Sequence, residues 1–174
     1  QKARELGLKL DLQMADIREP LPFAEAEFDL VFTATALHYV DDLRGLFKEI
    51  GRVMKRDGQL VASVLHPNST AYFPLARGKD QREPQYFGEP TRSIETPWLD
   101  YGEVPDEGRR IVCRHHTAAE YFNAIFAAGL RVTDVREPEP PAEYASQNAS
   151  RYEEAMRVPV YLIFKAKHPT VEPL

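Results

Sequence analysis

Two short apolar runs, FDLVF at 28–32 and QLVASVL at 59–65, flank a stretch with helical periodicity. No other feature restricts the fold as much. Leu43, Leu46, Phe47, Ile50, Val53 and Met54 fall at offsets 0, 3, 4, 7, 10 and 11, which is one apolar helix face. Asp41 or Asp42 supplies an N-cap. Lys55 and Arg56 suit the helix C-terminal dipole, and Gly58 suits its exit. Runs that stay apolar without alternating fit strands buried on both faces. Strand, helix and strand in this order predict a crossover unit and a parallel pair.

Further elements extend the alternation. Lys2 to Leu6 reads as the end of a helix stopped by Gly7. Leu10, Leu12 and Met14 alternate with polar or small neighbours, a strand pattern ended by Asp16. Arg109 to His115 reads as a strand. Thr117 and Glu120 form a capping box opening a helix with Tyr121, Phe122, Ile125 and Phe126 inward and Gly129 as its stop. A strand is expected over Leu130 to Val135, a polar loop over Arg136 to Ser150, a short helix over Arg151 to Arg157 and a strand over Val158 to Ala166. The last two strands have little helix between them and predict an antiparallel edge pair. Pro67 to Glu107 holds 6 of the 14 prolines, the only tryptophan and no sustained period, so it reads as an inserted cap or lid. One domain over 1–174 with an insert at 67–107 is the expected organisation.

Several function classes are excluded. The nine glycines are never closer than six residues apart, so neither GxGxxG nor a Walker loop can be written in this chain. One cysteine, Cys113, rules out an internal disulfide and a multi-cysteine zinc site. No apolar run approaches the roughly 20 residues of a membrane helix. The net charge of −5 without basic runs argues against nucleic acid as the main partner. No spacing suggests a metal site. With no signal-like stretch at its start, the default compartment is the cytoplasm.

Five pieces in a fixed order carry a family resemblance. They are Asp16 closing a strand, Leu21-Pro22-Phe23, Phe28-Asp29 opening the next strand, Ala36-Leu37-His38-Tyr39-Val40, and Arg52-Val53-Met54-Lys55-Arg56-Asp57-Gly58. As an ensemble they resemble the middle of a class I S-adenosylmethionine-dependent methyltransferase. The resemblance implies a Rossmann-like α/β sheet of strand order 3-2-1-4-5-7-6. Parallel strands with crossover helices would be followed by an antiparallel C-terminal pair. It implies S-adenosylmethionine as cofactor and a small-molecule substrate. The family's glycine loop and ribose-binding acid do not occur in these 174 residues. The sheet is therefore expected to be incomplete, the domain truncated, and the chain inactive or nearly so by itself. Without family strands 1 and 2, Leu10 to Ala15 is expected either to pair beside 28–32 or to hang loose.

Methyl transfer from a sulfonium is an in-line displacement, so the protein mainly aligns a nucleophile at about 3–3.5 Å and excludes water. Ligands in open α/β sheets sit at the carboxyl ends of strands. The resemblance implies that Asp16 and the Ile17 amide meet the adenine, and that Thr33, Ala34 and Leu37 lie beside the methionine part. Asp16 could instead only bond its own backbone in an Asx turn. His38 and His66 end neighbouring strands and are candidate bases, although a hydrogen-bonded structural histidine is the plainer reading. Tyr39, Tyr72, Trp98 and His116 are candidate substrate contacts. His115 and His116 should point to opposite faces. Cys113 reads as a small buried apolar residue.

Two rival readings remain. Tyr161 and Lys165 have the Tyr-x-x-x-Lys spacing of short-chain dehydrogenases, but in a strand-like run where that family uses a helix. A non-catalytic fragment or partner-binding domain is the other.

Overall fold

The computed structural model describes residues 5–72, 86–87, 91–95 and 110–169. Strand β1 (Phe28–Ala34) leads through a 3₁₀ turn (Leu37–Tyr39) to helix α1 (Leu43–Val53), which runs directly into β2 (Met54–Leu65). A short helix α2 (Pro67–Tyr72) follows, then β3 (Thr91–Glu95) and β4 (Arg110–Arg114). Helix α3 (Ala118–Ala127), β5 (Arg131–Arg136), α4 (Glu143–Gln147), α5 (Ala149–Arg157) and β6 (Tyr161–Lys167) complete the chain.

The main sheet has the order β1-β2-β6-β5. β1 and β2 are parallel, with Val31 opposite Leu60 and Thr33 opposite Ala62. β6 is antiparallel to both β2 and β5. The crossover unit and the antiparallel end pair are thus as expected. This is the 4-5-7-6 part of the expected sheet order. β3 and β4 form a separate antiparallel ribbon.

Helices α1 and α3 pack together on one face of the sheet. Leu43, Leu46, Phe47 and Ile50 of α1 meet Tyr121, Ala124 and Ile125 of α3 over Leu60, Ala62, Val64, Leu162, Phe164 and Ala166. Asp42 caps α1 by accepting from the Gly45 amide at 2.9 Å. The capping box at Thr117 and Glu120 forms reciprocally.

Several expectations need correction. β1 is not buried on both faces: Leu30 and Phe32 are 52% and 66% exposed. Both helices of the core lie on the other face, so these side chains meet no covering layer among the described residues. Leu10, Leu12 and Met14 form no strand and are exposed, so the looser arm of that expectation holds. Met54, Lys55 and Arg56 belong to β2 rather than to the last helical turn. Phe126 points outward, and Ala124 takes its inward place. The 67–107 segment begins with helix α2 and contains β3, neither of which its composition announced. Helix α4 was likewise unexpected. The expected Lys2–Leu6 helix falls largely outside the described residues, while Gly7 does take the left-handed φ of +66° that suits a helix stop.

The motif pieces near the start are tied together by α1. The Arg52 guanidinium donates to the carbonyls of Phe23 at 2.9 Å and Leu21 at 3.0 Å, and pairs with Glu49. Glu49 in turn accepts from the Leu21 amide at 3.1 Å. The Arg52 hydrogen bond holds the Glu49 carboxyl below its usual range. Lys55 reaches Asp29 at 2.9 Å.

Candidate functional site

Four of the five histidines gather beyond the carboxyl ends of β1 and β2, and all four are buried: His38, His66, His115 and His116. β1 and β2 deliver the first two directly. The end of β1 is marked by Thr35, whose φ of 50° is rare for a β-branched residue and whose amide donates to the Ser63 carbonyl at 2.8 Å. Such backbone strain concentrates at functional sites. Nothing in the sequence flagged Thr35.

His66 is fully engaged. Its Nδ1 accepts from the Asn68 amide at 3.0 Å, which leaves Nε2–H to donate to Glu137 at 2.9 Å. Both ring nitrogens of His66 therefore have partners. His115 is engaged at both ring nitrogens too. Nε2 donates to the Tyr86 carbonyl at 2.8 Å, and Nδ1 is hydrogen-bonded to the Thr70 hydroxyl at 2.6 Å, which also reaches the Pro67 carbonyl at 3.0 Å. His116 turns the other way, and Nε2 donates to the Val40 carbonyl at 2.7 Å. Its ring stands edge-on to Tyr121, with centroids 5.4 Å apart. The two adjacent histidines lie just beyond β4 and bond in opposite directions, one to Thr70 of α2 and one to Val40 at the end of the 3₁₀ turn, and both are buried.

His38 sits in that 3₁₀ turn with its ring 4.4 Å from the Tyr39 ring. Its Nδ1 is sealed from solvent and has no hydrogen-bond partner. Burial, with a smaller contribution from His116, pushes its pKa down from the ordinary 6.5 to about 4. The charged neighbour that acts on His38 is His116. Between about pH 6.5 and about 4 the unfolded chain binds a proton at His38 that the folded chain refuses. Stability therefore falls as pH falls through that window. We expect the melting temperature to drop between pH 7 and 4.5, and to drop less in His38→Gln. Equal slopes would show that His38 contributes nothing to the acid limb.

The remaining candidates divide. Asp16 is exposed, and Arg18 donates to its carboxylate from the backbone at 3.0 Å and from the guanidinium at 2.6 Å. The Arg18 hydrogen bonds lower its pKa to about 2, so it stays ionised. Both carboxylate oxygens are engaged by Arg18, in an Asx-type turn closed by its guanidinium. Ile17 packs its side chain against the core. Thr33 is half-buried, Ala34 exposed and Leu37 buried. Tyr39 is 41% exposed, and its partial burial raises its pKa above the usual phenol value. Tyr72 closes α2, and Trp98 lies outside the described residues. Cys113 is buried, as read. Tyr161 and Lys165 lie on β6, where a four-residue step spans about 13 Å. They cannot form the compact pair that a dehydrogenase needs. Among the described residues no group of three His, Cys, Asp or Glu could hold a metal ion. No helix there is long and apolar enough to cross a membrane. Thr70 and Glu137, which hold two of the histidines, were not foreseen. Glu137 carries a positional signal, since it directly follows a strand.

Comparison with known proteins agrees with this architecture. Residues 1–62 match the family model described as "Methyltransferase domain". The structure of an S-adenosylmethionine dependent methyltransferase from Mesorhizobium loti superposes with a TM-score of 0.65 at 26% identity, covering 88% of this chain and 68% of that one. A Listeria monocytogenes protein described as a candidate enzyme of the same kind has a TM-score of 0.74 at 20% identity, over 97% and 75% of the two chains. In sequence, the uncharacterized protein YafE of Escherichia coli is 26% identical over 146 residues, 83% of this chain and 56% of its own length. The chain spans between 16% and 56% of the length of the curated relatives it matches.

Proposed function

We propose methyl transfer from S-adenosylmethionine to a small molecule as the function of the protein this chain represents, starting from a class I methyltransferase fold and a methyltransferase-domain match over residues 1–62. One observation carries the reading. The matched segment contributes β1, and β1 opens at its carboxyl end onto the buried histidine cluster. That is the end of an α/β sheet where ligands bind.

Asp16 and Ile17 would meet the adenine, with the ionised, exposed Asp16 carboxylate accepting from its amino group alongside Arg18. Thr33, Ala34 and Leu37 would flank the methionine part, and the left-handed backbone at Thr35 suits a close approach there. The cofactor supplies an electrophilic methyl group on a good leaving group. The acceptor would lie toward Tyr39 and His116, with His38 as an uncharged wall that does not repel a sulfonium. His66 would brace the loop after β5 through Glu137. Tyr72 and Trp98 would contribute substrate contacts from the cap. The glycine loop that such folds use is not among these residues, and we infer little or no turnover by the 174-residue chain alone.

Calorimetric titration of S-adenosylhomocysteine into the chain tests the reading. Saturable micromolar binding that weakens about tenfold or more in Asp16→Ala supports it. Saturable binding that Asp16→Ala leaves unchanged moves the adenine elsewhere. A folded chain that binds nothing favours the non-catalytic, partner-binding alternative, toward which the exposed Leu30 and Phe32 also point.

A further inference from the structure

An edge strand offers a row of unpaired amides and carbonyls, and proteins protect such edges with charges, prolines, bulges or a covering segment. β1 is an edge of the main sheet, with β2 on one side and no partner strand on the other among the described residues. The ladder fixes which of its main-chain groups point outward. The Thr35 amide donates to the Ser63 carbonyl, so by strand alternation the amides of Val31 and Thr33 face β2. The amides and carbonyls of Leu30 and Phe32 then face the open edge. Their side chains are exposed as well, on the sheet face away from α1 and α3. The one charge in the strand, Asp29, is tied to Lys55 at 2.9 Å. No proline or lysine interrupts residues 28–34. The irregular pairing lies between Phe28 and Leu30, so the strand is regular from Leu30 to Ala34.

We propose that a second copy of this chain pairs with β1 along its open edge, antiparallel about a two-fold axis at Val31. The strand's own residues select a second copy as the occupant. In that register Leu30 of one copy stands opposite Phe32 of the other, and each such pair exchanges both N–H···O bonds. The same step sets the two exposed apolar side chains of each copy beside those of the other, a cross-strand pair repeated on either side of the axis. Val31 meets its own copy on the helix-bearing face, where it already packs against the core. Asp29 falls opposite Thr33 rather than opposite itself, so no like charges meet. Centring on Phe32 would set Leu30 against Ala34, and centring on Leu30 would draw in the irregular residue 28. The axis at Val31 uses both apolar side chains and stays within the regular stretch. The two copies together offer roughly 400 Å² of apolar side chain at this edge. Contacts below about 1,200 Å² are weak and transient, so the expected dissociation constant is on the order of 100 µM.

Sedimentation equilibrium of the 174-residue chain, from about 10 µM to about 1 mM, tests this. We expect a reversible monomer–dimer equilibrium that closes at two copies, because the contact is isologous. Leu30→Asp and Phe32→Lys should each weaken it about tenfold or more, since each sets a charge against an apolar partner. Both side chains are exposed, so both variants should keep the wild-type circular dichroism spectrum. Combining the two substitutions should restore the dimer, because the register sets the introduced carboxylate opposite the introduced ammonium. Amide exchange supplies a second readout. The amides of Leu30 and Phe32 should gain protection as concentration rises, while those of Val31 and Thr33 are protected throughout. A chain that stays monomeric at about 1 mM overturns the proposal. If the Leu30 and Phe32 amides are protected in that monomer, the edge is occupied by the chain's own segment 8–14, with its exposed Leu10, Leu12 and Met14. A dimer that ignores either single substitution, or a double variant that fails to reassociate, overturns the proposal equally. So do assemblies that grow beyond two copies.

Discussion

Phe164→Ala is expected to cost about 3–5 kcal/mol of folding stability, the range for removing a fully buried aromatic side chain. Phe164 lies at the centre of the main sheet, opposite Ala62 on one side and Val135 on the other. It is fully buried, and its ring is 6.3 Å from Phe47, 6.2 Å from Tyr121 and 6.0 Å from Phe122. One side chain therefore joins both core helices to the sheet. Domains of ordinary stability have roughly 5–15 kcal/mol in all, so the loss takes a large part of it. Urea unfolding followed by circular dichroism would measure the change. A loss under about 1 kcal/mol would mean that α1 and α3 collapse into the space, contrary to the close packing described.

Gly58→Ala is expected to destabilise by about 1–3 kcal/mol, the usual cost of forcing volume into a filled site. A Cβ there would stand 2.8 Å from the Phe28 carbonyl oxygen, 2.9 Å from Cγ of Met54 and 3.0 Å from the Lys55 carbonyl oxygen. Two of these three atoms are backbone, and the register of β1 against β2 shifts at this point. Relief would have to move the strand pair. Gly51→Ala is the matched control. It lies in α1 with its nearest contact an ordinary 3.7 Å to Leu130, so it should be neutral or stabilise by up to about 1 kcal/mol. Equal effects in the two variants would refute the steric account.

The parts of the fold that depend on local rules could be read from the chain itself. The α1 face from Leu43 to Val53 needs only the helical repeat, and the Thr117 box needs only two residues three apart. The crossover unit needs only the order of its elements. What was misread depends on neighbours distant in sequence. FDLVF looks doubly buried because its composition is that of an inner strand, but burial depends on what lies above Leu30 and Phe32. β3 takes its strand form beside β4, about twenty residues later, and no period within 91–95 reveals it. The site divides the same way. Strand-end position singled out His38, His66 and His116, while the surroundings of the last two depend on partners such as Glu137 and the Val40 carbonyl. A backbone carbonyl carries no side-chain signature, so the tautomer of His116 could not be read in advance.

The Arg52 staple bears on how such a motif can drift over generations. Its acceptors at 21 and 23 are main-chain carbonyls, which every amino acid carries. Substitutions there leave the acceptors in place, so the loop can exchange its side chains while remaining pinned. The fork itself has no such freedom. A lysine at 52 would bring a single ammonium to a site that uses Nε, Nη1 and Nη2 together. Divergent copies should thus keep the arginine and its glutamate partner longer than the leucine–proline–phenylalanine letters they hold in place.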